Sequence, residues 1–333
     1  MPGIEIRIPP NQDSRLSVLD ELKGIAILLI VLYHAGGVLL WRNFLHGDIG
    51  VDIFFLLSGL GLALSRRQES FGSFMSRRLI RLFPAYWLVL VIFLICNTHF
   101  LRLHYSAFNI AIHVVGLHGL FGDFYAFAID DSFWFITPIL LLYPCCYFLK
   151  PKLETLDVFL LFTALISVVG AFAFFFTNQG GSMGHIGFRL PGFFVGMMIG
   201  HLIRTGRIQF PMTAFLGVAL FVLVYVPYTQ GITFYSIVVT FAVIAAYLWA
   251  LRRKLGENSR IPSALNWVGR HSFEIFLIHQ PLLREYNFYL HGRWLNVPLP
   301  SEFSRIVGMT IAFAVTLLLA AELRKLQEKF IRV

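Results

Sequence analysis

The sequence predicts an all-α membrane protein of about ten transmembrane helices, with both termini in the cytoplasm. Of its 333 residues, 57% are hydrophobic and only 14% are charged, and the mean hydropathy is +0.73. A soluble domain of this length needs far more polar surface. Ten apolar runs are long enough to cross about 30 Å of hydrocarbon. They lie at 23–42, 49–65, 82–101, 132–149, 155–177, 187–203, 210–228, 232–251, 267–283 and 304–323.

One further apolar stretch, residues 105–128, is interrupted by glycines and, with the residue before it, carries His104, His113, His118 and Asp123. The positive-inside rule decides its assignment, because short cytoplasmic loops are enriched in lysine and arginine. With a cytoplasmic N-terminus and no crossing here, all but six of the 27 Lys and Arg residues fall on the cytoplasmic side. The six are Arg42, Arg102, Arg189, Arg284, Arg293 and Arg305. We therefore predict a re-entrant or surface-lying segment on the outer face, above a cavity.

Three parts are predicted along the chain. Residues 1–19 are polar and lack the small-residue cleavage site of a signal peptide, so they are expected to form a cytoplasmic N-terminal segment. A transmembrane domain is predicted at 20–323, followed by a cytoplasmic tail at 324–333. No soluble domain is expected to follow it, so any activity must come from the helical bundle. The basic residues lie in short loops, where they set the membrane topology. We therefore expect membrane lipids rather than nucleic acid as partners.

Two titratable residues lie in the first apolar run, in the segment KGIAILLIVLYH. Lys23 and His34 are about 16 Å and roughly three turns apart in a helix, so they share one face. Lys23 then lies near a membrane surface and His34 near mid-bilayer, where titratable groups are costly and usually functional. Two interpretations of His34 are open: a buried ring bonded to a carbonyl, or a general base or acyl acceptor. We favour the second.

A basic segment, SRRLIRLFPAYW, precedes the third run. Arg78 and Arg81 are three residues apart and are expected to face the same way at the start of the span. Pro84 follows one turn later, which suits the first turn of a helix. Guanidinium groups bind phosphate in a bidentate fashion, so this pair is a candidate site for a phosphorylated cosubstrate. The alternative is that these two arginines only set the membrane topology, or that they contact anionic lipid.

Other spans also carry polar residues. Asp52 lies at a predicted helix start, where a capping role is the simpler interpretation. Trp134 could belong to an interfacial aromatic belt, whereas Arg189 abuts a span on the outer side. Glu274 and His279 are five residues apart in one span and so point in different directions. Glu274 is expected to pair with a nearby arginine, and His279, at a depth comparable to His34, is a candidate second functional imidazole.

No metal site is predicted. The three cysteines lie in apolar stretches without metal-ligand spacing, and the remaining histidines do not form a convincing zinc pattern. The cysteines are Cys96, Cys145 and Cys146. No nucleotide-binding glycine loop is recognised in the sequence.

Six segments together resemble the signature blocks of the acyltransferase 3 family of integral membrane proteins. In order they are LDELKGIAILLIVLYH, GVDIFFLLSG, FMSRRLIRLFPAYW, the FWF…Y segment, RLPGFFVG and SFEIFLIHQPL. The resemblance implies a ten-helix enzyme of the bacterial inner membrane. Such an enzyme moves an acyl group, commonly acetyl, from cytoplasmic acyl-CoA to a hydroxyl of an extracytoplasmic glycan or glycolipid. It implies acyl-CoA as cosubstrate and no permanently bound cofactor.

The resemblance also implies site residues. The family's basic-x10-His motif maps onto Lys23 and His34, and its Arg-x-x-Arg motif maps onto Arg78 and Arg81. We therefore expect catalytic roles for His34, Lys23 and His279 and donor binding by the two arginines. Substrate-binding residues are then expected to be Asp52, Trp134 and Arg189. Whether Asp52, Arg189 and His279 position the sugar or stabilise the oxyanion stays open at this point.

The chain departs from the family pattern in two places. Lys23 stands where arginine is more common, which keeps the charge but loses the planar fork. Ile139 occupies the position of a glutamate that many members carry, so no carboxylate is assigned there.

Two other classes of protein are open. A transporter or flippase for a glycan or acyl-bearing substrate would have a similar composition, but would be expected to show paired broken helices, and no such symmetry is visible. A non-enzymatic lipid-binding or scaffold protein would have little use for buried titratable residues. An acyltransferase is the favoured class.

Overall fold

The protein is all-α within the part of the chain that its computed structural model describes. That part comprises residues 12–38, 49–65, 67–152, 182–205, 240, 242–244, 246–247, 259–285 and 302–331. Every regular element in these ranges is helical, which confirms the predicted class. The predicted spans 155–177 and 210–228, and most of 232–251, lie outside the described residues.

The helices follow the apolar runs of the sequence. In chain order they are α1 (Gln12–Val38), α2 (Ile49–Leu64), α3 (Phe71–Phe100), α4 (Ala107–Val114), α5 (Asp123–Ala126), α6 (Ile136–Lys152), α7 (Ser182–Thr205), α8 (Arg260–Arg270), α9 (Ser272–Gln280) and α10 (Glu302–Ile331). Two 3-10 turns lie at His118–Leu120 and Asp131–Phe135, and a π-helical turn covers Pro281–Glu285.

Three described segments are long and apolar enough to cross a membrane: Phe71–Phe100, Asp131–Pro151 and Ile306–Lys329. Two shorter apolar helices, Ile49–Leu64 and Gly192–Thr205, accompany them. Helix α3 leaves a continuous apolar surface exposed, as a lipid-facing helix does. That surface is formed by Trp87, Leu88, Val91, Ile92 and Ile95. The chain is therefore an integral membrane protein, while the count of ten spans and the side on which the termini lie stay predictions.

Glycines let two pairs of helices approach closely. A Cβ on Gly196 of α7 would lie 1.9 Å from the carbonyl oxygen of Leu56 in α2. A Cβ on Gly269 of α8 would lie 1.6 Å from the carbonyl oxygen of Asp20 in α1. Small residues at such contacts are typical of helices that pack within membranes, where close van der Waals contact replaces the hydrophobic effect.

The basic ends of several helices lie on one side of the molecule, here called the basic end. Arg324 near the end of α10 donates to the carbonyl of Arg270, the last residue of α8. Gln327, one turn on, donates to the carbonyl of Arg81 in the first half of α3. Since α8 also packs on the start of α1 at Asp20, the beginning of α1 and the end of α10 lie on the same side.

The third helix differs from the prediction. It begins at Phe71 rather than near residue 82, because the hydroxyl of Ser70 accepts a hydrogen bond from the Ser73 amide and starts the helix there. The basic segment is thus helical, and Pro84 lies inside the helix instead of in its first turn. The prediction that Pro84 lies in a first turn is wrong, because the charged residues before it belong to the same helix.

The predicted span 267–283 is also interrupted. Helix α8 ends at Arg270, His271 forms a turn, and α9 begins at Ser272. The ring of His271 stacks on Trp267 at 4.2 Å, and its Nδ1 donates to the Trp267 carbonyl, which also accepts from the His271 amide. Helix α8 packs along α1, and α9 with the π-helical turn follows after the break.

Residues 105–128 form short helical pieces that fold back against α3. The hydroxyl of Tyr86, halfway along α3, donates to the carbonyl of His113 at 2.8 Å. The indole of Trp87 donates to the carbonyl of Val114, also at 2.8 Å. Because both partners lie near the middle of a 30-residue helix, the segment folds back along α3 to about half of its length. Whether it is re-entrant or lies on the outer face of a membrane stays a prediction.

Candidate active site

The two histidines singled out in the sequence meet in the structure. His34 of α1 and His279 of α9 have ring centroids 5.1 Å apart, with the ring planes inclined by 56°. They are 245 positions apart in the chain, and the packing of α1 against α9 brings them together. The pair is the centre of the candidate site.

The two rings have different environments. His279 is 0% exposed, and its Nδ1 donates to the carbonyl of Phe276 at 2.8 Å. Its Nε2 is buried and has no hydrogen-bond partner among the described residues. His34 is half-buried and also touches the ring of Tyr33 at 5.3 Å. One imidazole is therefore sealed in the protein and the other is accessible.

Both rings lie about halfway across the bundle. Helix α1 is continuous from Lys23 to His34, a rise of about 16 Å, as the sequence predicted. His279 is the eighth residue of α9, about 10 Å along that helix from its start at Ser272. With Lys23 near a membrane surface, as the sequence predicts, a rise of about 16 Å to His34 corresponds to about half of a hydrocarbon core of about 30 Å.

The 3-10 turn Asp131–Phe135 packs against the pair. Gln280, next to His279, donates to Oδ2 of Asp131 at 3.1 Å. The ring of Phe135 contacts Phe276 at 5.1 Å. Trp134, a predicted substrate-binding residue, lies in the same turn, with its ring 6.2 Å from that of Phe135. Trp134 thus belongs to the turn that packs against the histidine pair, and it is half-buried.

The segment at 105–128 holds this turn in place. His118 donates through Nε2 to the carbonyl of Phe133 at 2.9 Å, and its ring stacks on His113 at 4.1 Å. Their positions in the sequence are typical of interfacial residues, but both are fully buried. They act as structural supports for the turn beside the site.

Lys23 has a charged partner on its own helix. Its Nζ lies 2.9 Å from Oδ1 of Asp20, and both side chains are partly exposed. The neighbouring Glu21 is buried and accepts a hydrogen bond from the hydroxyl of Tyr247 at 2.6 Å. The structure therefore places Lys23 at the basic end, below His34, with its charge balanced by Asp20.

Arg78 and Arg81 do not share one environment. The guanidinium of Arg78 lies between the rings of Phe74, at 5.3 Å, and Tyr143, at 5.9 Å. Its Nε is buried without a hydrogen-bond partner among the described residues. The side chain of Arg81 is exposed, although its carbonyl accepts from Gln327. Arg78 is therefore the member of the predicted pair that is built into the protein.

Lys150 lies near Arg78, and Arg204 lies near Lys150. On the sequence alone, both residues indicate only the cytoplasmic side. Lys150, at the end of α6, donates to the carbonyl of Ser65, which follows α2. Gly200 of α7 packs on Leu60 near the end of α2, so Arg204, one turn later, lies at that end too. The charges of Arg204 and Arg78 both act on Lys150. No spacing in the sequence links these residues, because they come from three different helices.

Three further residues singled out in the sequence lie in α2, α7 and α9. Asp52 lies in the first turn of α2 and is 9% exposed. A Cβ on Gly192 of α7 would lie 3.7 Å from the Asp52 carbonyl oxygen. Arg189 lies one turn earlier in α7, and its side chain is outside the described residues. Glu274 is fully buried and pairs with Arg324 at 3.5 Å, which confirms the expected pairing with an arginine.

Within the described ranges, no group of three or more His, Cys, Asp or Glu side chains is arranged to hold a metal ion. The cysteines Cys96, Cys145 and Cys146 are free thiols. The described residues bring two imidazoles together at the site, with guanidinium and ammonium groups at the basic end.

The fold and this site define a polytopic membrane protein whose interior holds titratable side chains, a class that includes membrane-embedded enzymes. The model of the acyltransferase 3 family, described as an acyltransferase domain, matches residues 17–322. The chain belongs to this family. The matched domain covers nearly every described residue, including both histidines and most of the basic end.

One curated relative is BcsY of Komagataeibacter xylinus, a protein whose name proposes that it is a membrane-bound transacylase. It is 44% identical over 70 residues, which are 20% of this chain and 17% of that protein. The chain therefore matches only a small part of that relative's length. No solved structure matches the chain.

Proposed function

We propose that this protein is a membrane O-acyltransferase. It moves an acyl group, acetyl in the simplest case, from cytoplasmic acyl-CoA to a hydroxyl of an extracytoplasmic glycan or glycolipid. The observation that carries the proposal is the contact between His34 and His279 in the middle of the bundle. Family membership supports the reaction class, and the arrangement of charges supports the direction of entry.

The basic end suits the donor. Arg78, Lys150 and Arg204 converge there from three helices, and their mutual repulsion favours a bound anion. Acyl-CoA is a polyphosphate, and guanidinium groups bind phosphate through paired hydrogen bonds. With its phosphates at this end, the pantetheine arm of acyl-CoA extends along the bundle towards His34. Lys23 adds a further cation on that path.

The opposite side suits the acceptor. The segment at 105–128 and the turn Asp131–Phe135 line that side of the histidine pair. Aromatic rings such as Trp134 commonly stack on apolar faces of sugars, and carboxylates such as Asp131 accept hydroxyl hydrogen bonds. Asp52 and Arg189 are proposed to contact the same acceptor. The glycan then enters from the extracytoplasmic face beside the segment at 105–128.

His34 is proposed to act as general base. It takes the proton of the acceptor hydroxyl while that oxygen attacks the thioester carbonyl carbon. The C–O bond forms, the C–S bond breaks, and the leaving thiolate takes the proton from His34 as free CoA. Transfer through a transient acyl-imidazole on His34 gives the same products in two steps. A thioester is already activated, so the first route needs only the imidazole as proton carrier. In the second route a nitrogen of His34 attacks the thioester carbonyl carbon and the C–S bond breaks, then the acceptor oxygen displaces the imidazole and its proton passes to the CoA thiolate.

Mass spectrometry of surface glycans tests this proposal. Cells making His34→Ala are expected to lose glycan O-acylation by at least about 100-fold, because general-base catalysis contributes on that order. Immunoblots of the membrane fraction check that the protein level is unchanged. His104→Ala is the matched control, since His104 is exposed and lies outside the site. Persistence of acylation in the His34 variant would overturn the proposed role.

A further inference from the structure

We propose that His279 is a positioning residue that holds the proton of His34 in place by accepting a hydrogen bond from its ring. This inference rests on the proposed function and assigns a definite role to the second imidazole. It follows from the tautomer of His279, its burial, and its distance from His34.

The tautomer of His279 is fixed by its backbone contact. Its Nδ1 lies 2.8 Å from the carbonyl oxygen of Phe276. A carbonyl oxygen can only accept a hydrogen bond, so Nδ1 carries the hydrogen. In a neutral imidazole the other nitrogen then has a free lone pair. The Nε2 of His279 is therefore an acceptor and cannot donate.

This acceptor is buried without a partner among the described residues, in a side chain that is 0% exposed. Leaving such a group unsatisfied costs about 1–3 kcal/mol. Orphaned buried polar atoms are uncommon in native proteins and need an explanation. A donor that engages this nitrogen during the reaction supplies one.

Among the described residues, His34 is a titratable donor within reach of this nitrogen. An N–H···N hydrogen bond of about 3 Å between two imidazoles places their ring centres about 5 Å apart. The observed separation is 5.1 Å. The planes are inclined by 56° and the bond is not formed, so His34 must reorient to make it. Catalytic hydrogen bonds are often misaligned in the absence of substrate.

In the proposed step every proton is accounted for, and none moves to His279. One nitrogen of His34 takes the hydroxyl proton as the acceptor oxygen attacks the thioester, and His34 becomes an imidazolium. Its other N–H donates to Nε2 of His279 throughout, which fixes the tautomer of His34 and stabilises its positive charge. The thiolate then recovers the proton from the first nitrogen. His279 thus acts on His34 alone and touches neither substrate.

This role excludes stabilisation of the oxyanion by His279, which the sequence left open. A neutral His279 with its hydrogen on Nδ1 cannot donate to an oxyanion through Nε2. Protonation of Nε2 would place a second positive charge beside His34 in a sealed pocket, which is strongly unfavourable. Stabilisation of the oxyanion must therefore come from other groups.

Two substitutions separate acceptance of a hydrogen bond from simple packing. His279→Gln places an amide oxygen near the position of Nε2 and keeps an acceptor, whereas His279→Leu removes it. Acyl transfer from acetyl-CoA by membranes containing each full-length variant gives kcat and KM. We expect the Leu variant to lose at least about tenfold in kcat with little change in KM for acetyl-CoA, and the Gln variant to recover most of that loss.

The unfolding temperature in detergent supplies a second readout. Removing an unsatisfied polar atom from a buried site is expected to leave the Leu variant as stable as the wild type or more stable. A slower enzyme with equal or greater stability supports the positioning role. Should the Leu variant not accumulate, His279→Met gives the same comparison with Gln at similar side-chain length.

Other outcomes overturn the inference. A Leu variant with an unchanged kcat, or a Gln variant as slow as Leu, would show that acceptance by residue 279 is irrelevant. If the wild-type membranes transfer no acyl group from acetyl-CoA, the proposed function itself fails. The wild-type measurement thus distinguishes failure of the function from failure of this inference.

Discussion

Arg78 and Arg81 are one helical turn apart and yet differ in their surroundings. Arg78 is packed between Phe74 and Tyr143, close to Lys150, whereas Arg81 extends into solvent. Because a packed guanidinium loses less freedom when it binds an anion, Arg78 is expected to contribute more to phosphate binding than Arg81 does.

Substitution of each arginine tests this difference. Arg78→Gln is expected to raise the KM for acetyl-CoA about 10- to 100-fold, in line with the loss of charge-assisted hydrogen bonds worth about 1.5–3 kcal/mol. Arg81→Gln, the matched control one turn away, is expected to change it less than about threefold, as weak exposed charges do. Equal effects of the two substitutions on KM would contradict the assignment of the buried arginine.

The sequence predicted which residues could bind phosphate or transfer a proton, but not how deeply each side chain is buried. The spacing of Arg78 and Arg81 correctly predicts neighbours on one helix, and the lengths of the apolar runs predict comparable depths for His34 and His279. Burial depends on what other helices bring to the same place. Lys150 and Arg204 were missed for this reason, because only the packing of α6 and α7 on the end of α2 brings them to Arg78.

At the scale of helices, glycines at the contacts determine how closely two helices pack. Gly196 of α7 packs directly on the backbone of α2, whereas a Cβ added to Gly61 of α2 would meet no described atom within 4 Å. Both residues lie within helices, so alanine favours the helical backbone at either position by up to about 1 kcal/mol. The two positions therefore differ in whether the backbone of another described helix packs against them.

Gly196→Ala is expected to lower the unfolding temperature in detergent, because overpacking a close contact costs about 1–3 kcal/mol. Gly61→Ala, its matched control, is expected to leave that temperature unchanged or to raise it. Thermal unfolding followed by circular dichroism measures both variants. A Gly196 variant as stable as the Gly61 variant would show that α2 and α7 do not pack as described.

Helical elements were predictable from apolar runs, while their ends and breaks were not. The run at 82–101 predicted α3, but the basic residues before it concealed eleven further helical positions that begin after the Ser70 cap. The run at 267–283 did not reveal the turn at His271. The glycines in 105–128 did indicate an interrupted segment, and its folding back along α3 depends on hydrogen bonds to Tyr86 and Trp87 that hydropathy cannot show.

The whole molecule combines two ends of different character around one buried pair. Cations from several helices gather at the basic end, and the segment at 105–128 occupies the other side. His34 and His279 contact each other between the two. An acyl donor and an acceptor that approach from opposite sides would therefore meet at the same imidazoles.

Vesicles of opposite orientation test this central claim most directly. Inverted inner-membrane vesicles and right-side-out vesicles, prepared from cells that make the protein, receive radiolabelled acetyl-CoA in the outside medium. The account predicts base-labile label on lumenal glycan in the inverted vesicles, which expose the cytoplasmic face, and almost none in the right-side-out vesicles. Equal labelling in both orientations, or labelling of right-side-out vesicles alone, would contradict it.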